Sequence, residues 1–418
     1  MNQNITQTVK SWSFLQKCLF RFFFVFCIFT IVPLLSDLGW EQLINWSGHY
    51  FYNEQVAPHP SGSGDTLYDF YSLTVKLIAS VIAAFIWSFL DRKRESYNTL
   101  LYWQEVYIRY YLALFLLVYG FMKVIKLQFG YPNLSALLIP LGYKSPMGLA
   151  WTFMGYSDTY TIFSGFCEVL AAAFLIYRKT KTLGALIGFG VMLNVFLMNM
   201  SYDIPVKLFS LQLALLSAFI VGLDYKRLLN LFILNRPALP QLSRQPFKQR
   251  WANITTQSVK IVAIIAGLGF TISKNLESRT LYGDAAPKPP MYGIYTAEEF
   301  IINNDTLEPK LGDTTRWKYL VMESENATIF NMKTTSYDDL KFYIAKTDTL
   351  KHEIKFLTYS DSMQIGKLHY QKTDSIHYNF EGIFDRAPIK MKTVRTDEKD
   401  FPLMNRGFHW VNEYPYNR

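Results

Sequence analysis

Four long apolar segments, running from Arg109 to just beyond Lys207, constrain the fold of this chain more than any other feature. They read RYYLALFLLVYGFMKVI, IFSGFCEVLAAAFLIYRKTK, TLGALIGFGVMLNVFLMNM and VKLFSLQLALLSAFIVGL. Each has about 17–20 residues, enough to cross the roughly 30 Å hydrocarbon core of a bilayer as a helix. In lipid the backbone must satisfy its own hydrogen bonds, which helices do. The sequence therefore predicts an α-helical membrane bundle.

Three further apolar segments raise the predicted number of membrane helices to about seven. They cover residues 19–36, 70–90 and 258–273, and the last is short for a span. Half of the chain is hydrophobic and 17% is aromatic, which is too much for the surface of an ordinary soluble protein of this size. The lipid bilayer is thus the first expected partner.

Positive charge is concentrated in alternate loops between these segments. Residues 1–274 hold 23 Lys/Arg against 12 Asp/Glu, whereas residues 275–418 hold 19 against 21. The basic clusters lie within 10–21, 92–94, 178–181 and 226–250. This is the positive-inside pattern, so we expect a cytoplasmic N-terminus and a C-terminal domain on the outer side of the membrane. The same placement argues against nucleic acid as a partner.

The cysteines and histidines give no sign of a redox disulfide, a metal or a haem. Cys18, Cys27 and Cys167 all lie in apolar segments without a CxxC pair. His49 and His59 share one loop but have no carboxylate or thiol at metal-ligand spacing. A haem held by two histidines inside the membrane would need histidines in the spans, and the spans have none. We predict no metal site.

Residues 293–418 form a domain of a different kind. Short runs such as YGIYTAEEFIIN, RWKYLVME and LKFYIAK alternate apolar and polar residues between turn signals. Such alternation predicts an antiparallel meander of about eight strands, which would close into a small barrel or a sandwich. We expect its interior to be narrow or filled, and the aromatic tail after Phe401 to pack back onto it.

Polar residues of four spans are predicted to share one layer in the outer half of the bundle. A helix rises about 1.5 Å per residue. By this rise, Lys123 would lie about 6 Å inside the outer boundary of the hydrocarbon core, and Glu168 about 12 Å inside it. A Lys123–Glu168 ion pair is therefore plausible, and Asp203 and Lys207, four residues apart, could form a second pair. We take Lys123 and Glu168 as candidate catalytic residues. The candidate ligand-binding residues are Tyr119, Asn194, Asn199, Tyr202, Asp203 and Lys207.

Two interpretations of this polar layer remain open. Polar side chains often hold transmembrane helices together, stabilising their packing by about 0.6–2 kcal/mol, and this accounts for the layer without any ligand. Alternatively, ionisable groups inside a membrane mark a ligand or redox site. Arg109 lies at the predicted inner boundary, where binding of lipid phosphate is the simpler account.

Residues 107–222 resemble the DoxX-like family of four-helix membrane proteins. The matching motifs are Arg109 with Gly120-Phe-Met-Lys123 on one helix and Gly165-Phe-Cys-Glu168 on the next, followed by the segment ending VMLNVFLMN. The resemblance implies that Lys123 and Glu168 line a cavity between helices. Members of this family include the small membrane subunit of a thiosulfate:quinone oxidoreductase and partners in oxidative-stress complexes. The layout of helices with an outer β domain also resembles bacterial envelope proteins, which implies an inner-membrane protein with a periplasmic C-terminal domain. The C-terminal domain, opening at Gly293 and including Trp317, is similar to lipocalin-like domains.

These observations predict five regions. Residues 1–104 hold two membrane helices with an outer loop, and 105–224 form the four-helix core. A basic cytoplasmic loop and the seventh helix occupy 225–274. A Pro-rich linker follows at 275–292, and 293–418 form the periplasmic β domain.

The leading functional hypothesis is a quinone-linked redox component, with quinone as the possible cofactor. The alternative is a non-enzymatic envelope scaffold whose β domain binds lipid or a membrane or periplasmic protein. A third possibility, a resemblance to transmembrane carboxylase-like proteins, ranks lower because the bundle carries few polar residues. Whether the chain is an enzyme is left open by its sequence.

Overall fold

The computed structural model describes residues 11–32, 39–52, 56–58, 63–238, 249–323 and 326–417. Some sequence predictions fall outside these residues, namely Lys10, the 33–36 end of the first apolar segment, His59 and the 239–248 part of the basic loop. The chain divides into two compact units. The first contains 1–121 and 165–262, and the second contains 122–164 and 263–418.

Helices make up most of the chain before residue 282. In chain order they are α1 (Phe14–Ile31), α2 (Trp40–Tyr52), α3 (Leu67–Leu90), α4 (Asn98–Val124), α5 (Leu134–Leu138), α6 (Pro146–Tyr156), α7 (Asp158–Ile176), α8 (Lys181–Ser201), α9 (Lys207–Leu223), α10 (Tyr225–Phe232) and α11 (Arg250–Leu281). Within the described ranges, six are long and apolar enough to cross a membrane, and a seventh arises if α9 and α10, bent by 74°, count as one span. The predicted multi-pass helical fold is confirmed.

Two helices are longer than the apolar pattern indicates. Helix α4 begins at Asn98, about three turns before Arg109, because residues such as Leu100 and Leu101 continue the helix although polar neighbours interrupt the apolar run. Helix α11 continues to Leu281 and so includes the first residues of the predicted linker. The connection 128–157, expected to be a cap, contains α5 and α6.

Small residues let the helices of the first unit pack closely. A Cβ added at Gly184 of α8 would lie 2.5 Å from the backbone nitrogen of Leu175 and 2.7 Å from the carbonyl oxygen of Ala171, both on α7. No larger residue fits there, so the α7 and α8 backbones nearly touch. The surrounding core draws on α1, α4, α7, α8 and α9.

A buried arginine, Arg21, links α1 to neighbouring segments through hydrogen bonds. The Arg21 guanidinium donates to the Tyr97 hydroxyl from Nε at 2.9 Å and from Nη2 at 2.7 Å. It also donates to the Ser88 hydroxyl and the Asp91 carbonyl. Tyr97 in turn donates to the Asp91 carboxylate at 2.9 Å. Because the Arg21 contacts join groups 67–76 residues apart in sequence, the cluster stabilises the packing of three segments.

The second unit contains a closed antiparallel β barrel. Its strands are β1 (Gly293–Ile302), β2 (Asp305–Thr306), β3 (Trp317–Glu323), β4 (Asn326–Asn331), β5 (Lys341–Asp348), β6 (Glu353–Leu357), β7 (Gln364–Lys372), β8 (His377–Phe384) and β9 (Ala387–Thr396). Each strand from β3 onward pairs with the next, and β1 pairs with both β3 and β9. These eight strands close the barrel. The short β2 pairs only with β1. The predicted eight-stranded meander is confirmed.

Aromatic side chains occupy the interior of the barrel. Tyr295, Phe300, Phe356 and Phe380 are at most 1% exposed, and they belong to one apolar cluster with Trp317. Eight strands give a diameter that side chains can fill. This packing agrees with the expectation of a filled interior.

The outside of the barrel packs against the connection between α4 and α7. Leu134 and Ile139 of this connection join a second apolar cluster with Ile294, Val321 and Phe330 of the barrel. At its edge the hydroxyl of Ser135 donates to the Glu323 carboxylate at 2.7 Å. Burial raises the pKa of Glu323, although hydrogen bonds from Ser135 and Leu134 partly oppose this.

The aromatic tail does not pack back onto the barrel as expected. Phe401 contacts the cluster described above, but Phe408, Trp410, Val411 and Tyr414 are exposed. The strands already close the barrel, so no open edge is left for the tail to cover.

The raised pKa of Glu323 predicts a pH-dependent contact between the barrel and Ser135. The pKa of Glu323 is higher in the folded state than in the unfolded state. Glu323 therefore stabilises the folded state at low pH, and this contribution is lost as pH rises through the folded-state pKa. Hydrogen exchange of the 133–139 peptide, corrected for intrinsic rates, should show stronger protection at about pH 5 than at about pH 8.

The substitution Glu323→Gln keeps an acceptor for Ser135 and should remove this dependence. Glu299→Gln, at an exposed ion pair with Lys392 on the same barrel, is the matched control and should retain it. An unchanged pH dependence in Glu323→Gln would show that another group controls the contact.

Candidate functional site

The candidate site begins at a close crossing of α4 and α7. A Cβ added at Gly120 would lie 2.8 Å from Cγ2 of Val169 and 2.9 Å from the carbonyl oxygen of Gly165. Gly120 therefore cannot carry a side chain without separating the helices. The two glycines of the GxxK and GxxE motifs are the contact points of this crossing.

Glu168 lies one turn beyond Gly165 and is fully buried, with 0% exposure. An electrostatic interaction connects its carboxylate with the hydroxyl of Tyr119, which is half-buried on α4. A carboxyl group in such apolar surroundings is costly unless polar groups compensate it or it is neutralised. Tyr119 is thus a polar group near Glu168 inside the first unit.

Lys123 occupies the last turn of α4 and is 5% exposed. It lies three residues after Gly120, as Glu168 lies three residues after Gly165. A lysine is seldom buried to this extent without a polar partner. The ion pair between Lys123 and Glu168 stays a prediction.

Asn199 takes part in the turn that joins α8 to α9. Its side-chain amide donates to the Ser210 hydroxyl at 3.0 Å and to the Val206 carbonyl at 3.2 Å. Asn199 is 2% exposed. Its amide protons therefore hold the turn, and this structural role accounts for its burial.

Asp65 caps the helix that follows this turn, a contact that sequence reasoning missed. Its carboxylate accepts from the backbone nitrogens of Lys207, at 2.5 Å, and Leu208, at 2.9 Å. It thereby satisfies free N–H groups at the start of α9, where negative charge also suits the helix dipole. Nothing in the sequence pairs it with a helix about 140 residues away.

The remaining predicted ligand-binding residues lie near the surface of the bundle. Asp203 and Lys207 form the expected ion pair, with 2.9 Å between Oδ1 and Nζ, but the Asp203 side chain is 85% exposed. Tyr202 and Asn194 are also exposed. Asn194 lies on a different face of α8 from the buried Met192 and Asn199. The structure therefore brings Tyr119 and Glu168 together, but it does not bring Asn194 to them.

Potential metal ligands are not grouped in the part of the chain that the structure describes. No cluster of three or more His, Cys, Asp or Glu side chains there could hold a metal ion. Tyr119 and Glu168 contribute oxygen atoms at the crossing.

Comparison with known proteins places part of the chain in a family. An uncharacterized protein of Bacillus subtilis strain 168, YwoB, is 35% identical over 126 residues, which are 30% of this chain and 79% of YwoB. The chain belongs to the YwoB family. No family model matches it, and no solved structure matches it. The name of YwoB carries no activity, so the function must be argued from the site.

The tight crossing at Gly120 predicts that even a methyl group disturbs the site. Gly120→Ala places a Cβ inside the contact distance of Val169 and Gly165, and such overpacking costs roughly 1–3 kcal/mol. We expect a lower midpoint of thermal unfolding for the protein in detergent.

Gly190→Ala is the matched control on α8, because a Cβ there meets nothing within 4 Å. It should be neutral or should stabilise the helix by about 0.5–1 kcal/mol. Equal destabilisation by both substitutions would mean that the crossing is looser than described.

Proposed function

We propose that the membrane bundle binds the headgroup of a quinone and exchanges protons with it, with Glu168 and Lys123 as the proton-exchanging groups. The observation that carries this proposal is the complete burial of Glu168 beside Tyr119 and the Gly120 crossing. Reduction of a quinone takes up two protons for two electrons, and a desolvated carboxylic acid suits such an exchange. The electrons would come from a redox partner protein.

The helical repeat supports a role for Lys123 in the same site. Residues three apart lie on the same side of a helix. Lys123 therefore lies on the same side of α4 as Gly120, and Glu168 lies on the same side of α7 as Gly165. These are the sides on which the two helices cross. We propose that the two side chains form an ion pair when no ligand is bound. Both motifs support the DoxX-like resemblance of the core.

The charge pattern gives the orientation that this proposal uses. With the N-terminus in the cytoplasm, Glu168 lies in the outer half of an inner membrane and the β barrel is periplasmic. Asn199, Tyr202, Asp203 and Lys207 would then lie at the level of the outer mouth of the bundle, whereas the exposed Asn194 would face lipid. A quinone would enter from the hydrocarbon with its tail in the bilayer.

A non-enzymatic scaffold is the second candidate, and the filled barrel favours it. The aromatic interior, including Phe300 and Phe380, leaves the outer surface of the barrel as the part available to a partner. One side of that surface already packs against Leu134 and Ile139. In this candidate the exposed side chains of the tail, such as Trp410, would contribute to a protein or lipid contact.

The proposed function predicts that a quinone is retained by the purified protein through Glu168. Native mass spectrometry of protein extracted in mild detergent should show a bound quinone in the wild type. Glu168→Gln should reduce its occupancy at least about tenfold, a loss of roughly 1.4 kcal/mol of binding, because the ionisable acid is gone.

The adjacent substitution Cys167→Ser tests whether any change in this turn of α7 has the same effect. It preserves side-chain size and should leave occupancy near the wild-type level. A protein without quinone in every preparation, or equal occupancy in the wild type and in Glu168→Gln, would contradict the redox proposal and favour the scaffold.

A further inference from the structure

Arg109 is a buried cation that the proposed site does not use. The residue is 5% exposed, and its Nε has no hydrogen-bond partner in the described part of the chain. Its Nη2 makes one long contact, 3.4 Å to the hydroxyl of Tyr110, and the guanidinium carbon lies 5.0 Å from the centre of that ring. No carboxylate of the described residues forms an ion pair with it.

The nearest carboxylate on the same face of α4 is already engaged. Glu105, one turn before Arg109, accepts from Nζ of Lys181 on α8 at 2.5 Å, and the Lys181 side chain is 5% exposed. A second carboxylate near Lys181, the buried Asp224, accepts from the hydroxyl of Thr182. Neither carboxylate forms an ion pair with Arg109.

We propose that Arg109 binds the phosphate group of an anionic ligand at this level of the bundle. A buried charge without a counter-charge is costly, and the neutral Tyr110 ring compensates only part of that cost. The planar guanidinium offers paired N–H donors that match a phosphate, and Nε is one of them. Phosphate would supply both the missing charge and the missing acceptor.

This site is separate from the one at Glu168. Arg109 precedes Gly120 by 11 residues on one continuous helix, which corresponds to roughly 16 Å along its axis. The proposal therefore stands whether or not the bundle binds a quinone. The phosphate could belong to a lipid headgroup or to a soluble anion, and the chemistry at Arg109 is the same for both.

Thermal unfolding of the full-length protein, delipidated in an uncharged detergent, tests the proposal. The added probes are phosphatidylglycerol, a diacylglycerol with the same acyl chains and no phosphate, and inorganic phosphate. We expect phosphatidylglycerol to raise the unfolding midpoint of the wild type by a few degrees, and diacylglycerol to have no such effect.

Substitutions of Arg109 test whether the rise in unfolding midpoint with phosphatidylglycerol depends on this residue. Arg109→Gln should abolish the rise, whereas Lys179→Gln should keep it, because Lys179 is an exposed cation of the α7–α8 turn outside the proposed site. If Arg109→Gln does not fold, Arg109→Lys provides the test. It keeps the charge but loses the two-pronged geometry, so phosphatidylglycerol should bind it about tenfold more weakly.

Each result decides the proposal. A rise with inorganic phosphate that is lost in Arg109→Gln or reduced in Arg109→Lys supports the site and assigns it to a soluble anion. If only phosphatidylglycerol raises the unfolding midpoint, and the Arg109 variants lose or reduce that rise, the site binds a lipid headgroup. Equal rises in the wild type and the Arg109 variants, or no rise with either phosphate probe, would overturn the proposal.

Discussion

The removal of Glu168 from water is the constraint on which the rest of the account depends. A carboxyl group with no exposed surface in an apolar bundle must be neutral or compensated by polar neighbours. The Tyr119 hydroxyl lies within electrostatic reach, and the Gly120 crossing brings α4 and α7 close enough for such neighbours to act. Without that crossing, Glu168 would face lipid or water.

Polar groups are placed at distinct levels of the first unit. Arg21 and Tyr97 join three segments, Glu105 pairs with Lys181, and Glu168 interacts with Tyr119. The first two sets have mutual hydrogen bonds or ion pairs that explain their burial by packing alone. The buried Glu168 beside Tyr119 is the basis of the proposed quinone site, and the Arg109 Nε, which has no hydrogen-bond partner among the described residues, is the basis of the proposed phosphate site.

Much of the fold could be predicted from the sequence because two patterns of apolar residues indicate its helices and strands. Continuous apolar runs of about 18 residues predicted the membrane helices, and alternation of apolar and polar residues predicted the strands of the barrel. The ends of α4 and α11 were missed because polar residues break the apolar run without ending the helix. The tail after Phe401 was misjudged because composition does not show that the strands close without it.

The candidate site was predictable only in part. The GxxK and GxxE motifs led to Lys123 and Glu168, and both are buried. However, a helix pattern does not give the rotation of α8 against its neighbours, so Asn194 could not be separated from Asn199. The Asp65 contact with α9 joins distant segments and left no local signal.

Photoaffinity labelling with a light-activated quinone analogue tests the central claim most directly. The account predicts that the labelled peptides contain the end of α4 around Tyr119 and the middle of α7 around Glu168. Excess natural quinone should prevent the labelling. Labelling spread over the lipid-facing helices, or unaffected by natural quinone, would contradict it.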